Sequence, residues 1–243
     1  MMQHALSPCC SVSGAPGAAL TQRCGTDWWS THHHPGDNDS APSDPADPSA
    51  IELTKDVVTV LFTDLEGFTR LTEALPLERT AAILGQYYDA LLSVAKATGG
   101  RVDRFIGDGA MLYWSRTRHG PPHADRAVAA VGLLREALAR QEPHKGDRIA
   151  AGLPVRFGVH TGEVMFGQIG AGDTSRTMVG DVVNVAFRLQ QAAKALAPRP
   201  VDGGLRGYVS RETTRHLTAD RPTGTFQILA LPGRRHAALA QRM

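Results

Sequence analysis

An α/β domain is the fold class this sequence predicts, in detail an α+β one with a ferredoxin-like βαββαβ core and a mostly antiparallel central sheet flanked by helices. Three observations carry the prediction. Val57, Val58, Val60, Leu61 and Phe62 form a short β-branched and apolar run, the texture of a strand buried on both faces. Two longer stretches carry apolar residues at spacings of three and four, as amphipathic helices do. Gly107, Asp108 and Gly109 separate two strand-like runs, which is a hairpin signal.

Taken in order, the first strand starts at Val57 and is closed by Asp64. A helical region follows and breaks at Pro76, a residue suited to a helix first turn. It resumes as a stripe at Ile83, Leu84, Tyr87, Leu91 and Val94, and Gly99 and Gly100 stop it. Strands are predicted over Arg101–Ile106 and 110–114, which puts Asp108 at a tight turn. A second helix follows Pro121 and Pro122, with Ala127, Val128, Val131, Leu134 and Leu138 on one face, and then a polar loop around Gly146. Val155, Phe157 and Val159 alternate as a further strand, and 163–169 is expected as its hairpin partner across Thr161 and Gly162. That order completes a split βαβ pattern. Beyond a glycine-rich loop, 181–194 is expected as a helix capped by Asp181, with Asn184 and Arg188 on one face at i and i+4. The tail is expected to hold a strand near Tyr208, a short helix over 210–217, and strands about 225–231 and 236–240.

Composition narrows the class. At 243 residues and 42% hydrophobic content, the chain has room for one well-buried domain plus extensions. Residues 1–50, rich in Ser, Pro, Gly, Ala and His and ending in DNDSAPSDPADPSA, read as a disordered low-complexity segment, leaving 51–243 as the folded domain. His32, His33 and His34 with Cys9, Cys10 and Cys24 fit no zinc-finger spacing and read as an adventitious polar tract. All three cysteines lie in that segment, so no disulfide framework staples the fold. A formal charge of +2 shows no basic stripe of the kind nucleic acid requires, so no nucleic-acid partner is expected. No apolar stretch is long enough for a transmembrane segment, and the expected location is cytoplasmic.

Candidate chemistry centres on Asp64 and Asp108, each at the end of an apolar run and each near glycine. A carboxylate at a strand end beside backbone that a ligand can approach suits a divalent cation and a phosphate, since hard cations prefer oxygen ligands. A nucleotide enzyme follows as the leading expectation.

The segments FTDLEGFT at 62–69, FIGDGAM at 105–111, GVHTGEV at 158–164 and VGDVVNVAFRLQ at 179–190 together resemble the class III nucleotidyl cyclase catalytic domain, of the bacterial adenylyl type, over roughly 57–240. The resemblance implies the nucleotide cyclase fold. It also implies conversion of ATP or GTP to the 3′,5′-cyclic monophosphate and pyrophosphate, with two Mg²⁺ or Mn²⁺ ions per site. Asp64 and Asp108 would be the paired metal ligands, helped by the Leu65 carbonyl. Backbone amides of Leu65, Glu66, Gly67 and Phe68 would cradle the β- and γ-phosphates, with Gly67 and Gly107 permitting close approach. Asn184 and Arg188 match the transition-state pair, the asparagine orienting the ribose and the arginine meeting charge on the α-phosphate. In the family these two face the metal ligands from the opposite subunit, so one chain carrying both sets implies a homodimer with two composite sites. His160 is expected to be structural, and the Glu66 and Glu163 side chains to be solvated or local polar groups.

Two departures bear on substrate. Adenylyl members choose the base with a lysine four residues before the second metal aspartate and an aspartate or threonine seven before the asparagine, positions held here by Arg104 and Thr177. Arginine keeps a cationic donor for adenine N1 and cannot accept from guanine as glutamate does. The family's Leu-Lys-Gly turn is Leu231-Pro232-Gly233 here, so Arg234 or Arg235 would have to reach the triphosphate. The sequence therefore predicts an ATP-using adenylate cyclase. Two other readings stay open: a guanylate or mixed-base cyclase, and a non-catalytic nucleotide-binding dimerisation module.

Overall fold

The computed structural model describes residues 52–140, 153–168, 176–197, 204–218 and 225–243, so the expected disordered segment and the polar loop around Gly146 lie outside the described residues. One sheet organises them. Its strands are β1 (Glu52–Leu65), β2 (Arg101–Ile106), β3 (Gly109–Ser115), β4 (Val155–Gln168), β5 (Arg176–Val179), β6 (Leu205–Ser210), β7 (Phe226–Leu229) and β8 (Ala238–Arg242). They lie in the order β2-β3-β1-β4-β6-β8-β7, with β5 also on β4. Only the β4–β6 pair is parallel among the described strands, which makes the sheet mostly antiparallel.

The helices are α1 (Phe68–Ala74), α2 (Leu77–Thr98), α3 (Arg116–His119), α4 (His123–Ala139), α5 (Asp181–Ala192) and α6 (Arg211–Arg215), with a 3-10 turn at Ala193–Ala195. Alternation along β1 sorts them onto two faces. Leu61 and Leu65 pack against Tyr87, Leu91 and Val94 of α2 and Ala127, Val131 and Leu134 of α4. Val58, Val60 and Phe62 point the other way, onto Val182 and Ala186 of α5. Burial on both sides is why this strand reads as a continuous apolar run rather than an alternating one. The far side of α5 continues onto β6 and β8 through Val185, Leu189, Tyr208 and Ala240. Helix α5 crosses β4 at Gly158, where a Cβ would stand 2.2 Å from the Ala186 carbonyl and 2.4 Å from the Gln190 nitrogen. Only glycine allows that approach.

The largest correction concerns β4. The expected hairpin at Thr161 and Gly162 does not exist, because β4 runs unbroken and pairs with β1 from Glu52 opposite Gln168 to Leu65 opposite Val155. Thr161 and Gly162 have strand partners in Thr59 and Val58, so the backbone bonds that a turn would leave open are already made. The true hairpin neighbour of β4 is β5, which local reading missed. Strand β1 likewise begins earlier than Val57. Helix α5 is capped at Gly180, with no side-chain cap bond, and Asp181 sits inside the first turn instead. There its charge still favours the helix N-terminus. The short α3 was not foreseen; Ser115 starts it by accepting from the Arg118 amide. Helix α6 is shorter than 210–217, because Ser210 is its cap rather than its first residue. The terminal strands fall slightly inside or beyond their expected bounds.

A buried polar seam crosses this core. The Thr59 hydroxyl bonds His123 Nδ1 at 2.9 Å and the Thr161 hydroxyl at 2.8 Å. Thr161 donates to Thr213 at 3.1 Å, Thr213 meets Ser210, and Ser210 meets His160 Nδ1 at 2.8 Å. Burial pushes both imidazoles down to about 4, so each is neutral at physiological pH.

Candidate active site

Strand pairing brings the two sequence-predicted aspartates together. Asp64, the last residue but one of β1, lies opposite Gly109 of β3, which places it beside the turn that carries Asp108. That turn is tight because Gly107 takes φ 57°, a left-handed conformation that favours glycine. The Leu65 amide donates to the Asp108 carbonyl at 3.3 Å and ties the two segments directly. Burial first, and then the charge of Asp64, hold the Asp108 carboxyl above the usual carboxylate range. Paired carboxylates that resist joint ionisation suit a divalent cation, which reverses the local electrostatics. Among the described residues no group of three or more His, Cys, Asp or Glu is placed to hold a metal. An ion here would therefore rely on these two carboxylates, a main-chain oxygen such as that of Leu65, and non-protein ligands, a set that fits Mg²⁺ or Mn²⁺.

Sequence reading missed two residues that touch Asp64. Arg156, its register partner on β4, forms an ion pair with the Asp64 carboxylate, and Gln190 of α5 donates to the same oxygen at 3.1 Å. The Arg156 Nε is buried without a hydrogen-bond partner. Its signal was an arginine among alternating Val155, Phe157 and Val159. Only the full β1–β4 register aims it at Asp64.

The amide cradle over 65–68 needs correction. The Leu65 amide is used on Asp108, and the Glu66 amide donates to the Pro154 carbonyl at 2.7 Å. Gly67 and Phe68, where α1 begins, are the remaining residues of the expected cradle. Of the two expectations for the Glu66 side chain, solvated or local polar group, the polar one holds: it is ion-paired with Arg206, a buried residue of β6. Glu163 is exposed as expected and pairs with Lys55 at 2.9 Å.

On α5, Asn184 is exposed and Arg188 half-buried, while Gln190 is buried and turned to Asp64. At 100° per residue Gln190 lies roughly 200° around the helix from Arg188. The helix that delivers Gln190 to the aspartates therefore turns Arg188 away from them. Arg188 instead neighbours Gly233, where an added Cβ would stand 3.2 Å from its Nη2. Arg234 is bonded elsewhere than the sequence suggested: its guanidinium pairs with Asp181 at 2.8 Å, a carboxylate brought to it by the start of α5.

Arg104 lies on β2, the first strand of the sheet order, just past a bulge at Asp103. Its side chain is 56% exposed, and its Nε donates to Asp103 Oδ2 at 2.6 Å. Thr177 sits in β5 opposite Gly167. A separate cavity of about 420 Å³, lined by Thr54, Asp56, Tyr113 and Phe166 among others, lies at the opposite end of β1 and includes none of these residues.

Comparison with known proteins identifies the family and the fold. The model of the Adenylate and Guanylate cyclase catalytic domain matches residues 52–199, and the chain belongs to that family. It is 35% identical over 137 residues to Adenylate cyclase 1 of Rhizobium meliloti (strain 1021), covering 55% of this chain and 20% of that protein. The chain spans 20–28% of the length of the curated relatives it matches first. Its fold superposes on the adenylyl cyclase CyaB from P. aeruginosa with a TM-score of 0.64 at 26% identity, covering 79% of this chain and 96% of that one. The guanylyl cyclase Cya2 shares the fold at the same TM-score and 23% identity, over 78% and 92% of the two chains. The chain is thus a class III nucleotidyl cyclase domain. Among the described residues no helix is long and apolar enough to cross a membrane.

Proposed function

We propose that residues 51–243 form an adenylyl cyclase domain that converts ATP to 3′,5′-cyclic AMP and pyrophosphate at two composite sites of a homodimer. The observation that carries this reading is the split within one protomer: Asp64 and Asp108 converge at the sheet end, while Arg188 points away on α5. A second copy related by a two-fold axis supplies the missing half, and a closed two-fold dimer makes both sites equivalent. Bound Mg²⁺ or Mn²⁺ would activate the ribose 3′-hydroxyl and offset charge on the leaving pyrophosphate.

The protein's own groups do the rest. Asp64 and Asp108 would hold the cations, and the Gly67 and Phe68 amides would meet phosphate oxygens. Arg156 and Arg234 are the cations that could meet a further phosphate oxygen, each by sharing or leaving its present carboxylate, Asp64 for the first and Asp181 for the second. From the partner, Asn184 orients the ribose and Arg188 neutralises charge developing on the α-phosphate, with a fork geometry suited to paired oxygens.

Arg104 supports ATP, because a guanidinium donates to adenine N1 and accepts nothing from guanine. Thr177, by its position in the sequence, would be the second base-reading residue. One observation favours a mixed-base reading: the Asp103 carboxylate beside Arg104 offers an acceptor to the guanine N1 and amino hydrogens. Product formation from ATP and from GTP, each with Mg²⁺ and with Mn²⁺, tests both. Cyclic AMP as the dominant product is expected, and dominant cyclic GMP would overturn the choice of base. Metal-dependent nucleotide binding by a dimer that makes neither product would overturn catalysis itself.

A further inference from the structure

Two adjacent tyrosines in the middle of α2 each reach one of the aspartate-bearing segments. Tyr87 is buried behind the sheet, and its hydroxyl donates to the Thr63 hydroxyl at 2.7 Å, one residue before Asp64. Tyr88 is half-buried at the rim, where its ring stacks on Phe105 with centroids 4.0 Å apart. Its hydroxyl donates to the Gly107 carbonyl, one residue before Asp108. Neighbours on a helix diverge by about 100°, so adjacent residues of α2 can address strand β1 and the β2–β3 turn separately.

Packing alone does not call for these hydroxyls. Phenylalanine would fill both positions with the same ring, and a phenol taken out of water gains nothing unless it finds a partner. Both have found one, and both partners adjoin a carboxylate of the same pair. The bond from Tyr88 matters because Gly107, at φ 57°, has no side chain to fix the peptide plane that leads into Asp108. The bond from Tyr87 holds the last residue of β1 before Asp64. Between the two run the Leu65–Asp108 bond and the packing of Gly109 on the Thr63 carbonyl, where a Cβ would come within 2.8 Å. The two carboxylates are therefore referenced to one rigid rod as well as to each other.

We propose that Tyr87 and Tyr88 are positioning residues that set the separation of the Asp64 and Asp108 carboxylates and so tune their affinity for a divalent cation. The proposal rests on the reading of those aspartates as the cation-binding pair. Neither tyrosine touches the reacting atoms.

The test is Mn²⁺ binding to the full chain without nucleotide, followed by the electron paramagnetic resonance of free Mn²⁺, for Tyr88→Phe, Tyr87→Phe and Asp108→Asn. Tyr88→Phe should weaken Mn²⁺ binding about three- to tenfold, the scale of one lost hydrogen bond, with a fall in melting temperature of only about 2–4 °C and a cooperative transition retained. The Mn²⁺ concentration for half-maximal product formation should rise by the same factor. Tyr87→Phe should act in the same direction, and the double variant should lose less than the product of the two effects, since both hydroxyls serve one pair. Loss of binding in Asp108→Asn with no change in Tyr88→Phe would overturn the positioning role while leaving the cation site intact. Wild-type binding by Asp108→Asn would overturn the cation site and the proposal with it. If Tyr87→Phe lowers the yield of folded protein, Tyr88→Phe, at the rim, decides the matter alone.

Discussion

Mixing two inactive variants should restore activity. Asp64→Ala removes a carboxylate from the cation pair and is expected to abolish turnover. Arg188→Ala removes a charge-stabilising donor and should lower turnover by roughly 10²–10³. In a heterodimer of the two, one site inherits both lesions. The other combines Asp64 of the second chain with Arg188 of the first and is intact. Random association gives about half heterodimers, each with one working site of two, so an equimolar mixture should recover about one quarter of wild-type activity. The composite site behind that figure rests on Arg188 lying roughly 200° from Gln190 on α5, since Gln190 already bonds Asp64 of its own chain. Co-refolding differently tagged chains, isolating the doubly tagged species and measuring product per dimer would read it directly, with about half of wild-type activity expected for the pure heterodimer. A purified heterodimer no more active than its parents would refute the composite site, and the proposed assembly with it.

Other outcomes follow from the same geometry. The folded state raises the Asp108 pKa, so the ionised carboxylate costs stability above that pKa and the cost fades as pH falls through it. Metal-free Asp108→Asn should therefore melt above wild type at neutral pH, with the gap closing under acid; a gap independent of pH in thermal melts would contradict this. Gly158→Ala should cost about 1–3 kcal/mol or more in urea unfolding, because the new Cβ meets the α5 backbone and must lift that helix off β4. Glu66→Ala should cost about 3 kcal/mol by leaving the buried Arg206 charge unpaired, and adding Arg206→Met should recover part of it in the same measurement.

Local signals made half of the site legible. Asp64 and Asp108 stand out because a strand end and a glycine hairpin are short-range patterns, and both were placed correctly from a few neighbours. Arg156 and Gln190 escaped because their positions depend on non-local facts, the register of β1 on β4 and the crossing of α5 over Gly158. Thr161-Gly162 resembles a turn in isolation, yet pairing with Thr59 and Val58 keeps it extended, so tertiary context overrode the local preference. Asp181 resembles a cap and lies one residue inside the helix, a displacement typical of boundary readings. Pro232 leaves Arg234 or Arg235 as the cation of that turn, and nothing nearby in sequence announces the pairing of Arg234 with Asp181.

The polar seam through Thr59 and Thr161 works as the zero mark of a ruler. Asp64 lies five residues along β1 from Thr59, about 17 Å away, and over that stiff length whatever fixes the zero fixes the reading at the far end. A slip of one residue in β1 would turn every β1 side chain to the opposite face, drive the Thr59 hydroxyl in among aliphatic side chains, and strip His123 and Thr161 of that partner. At the other end Asp64 would find Val155 or Phe157 across the gap instead of Arg156. The threonines never approach a nucleotide, yet they decide which residue the aspartate meets.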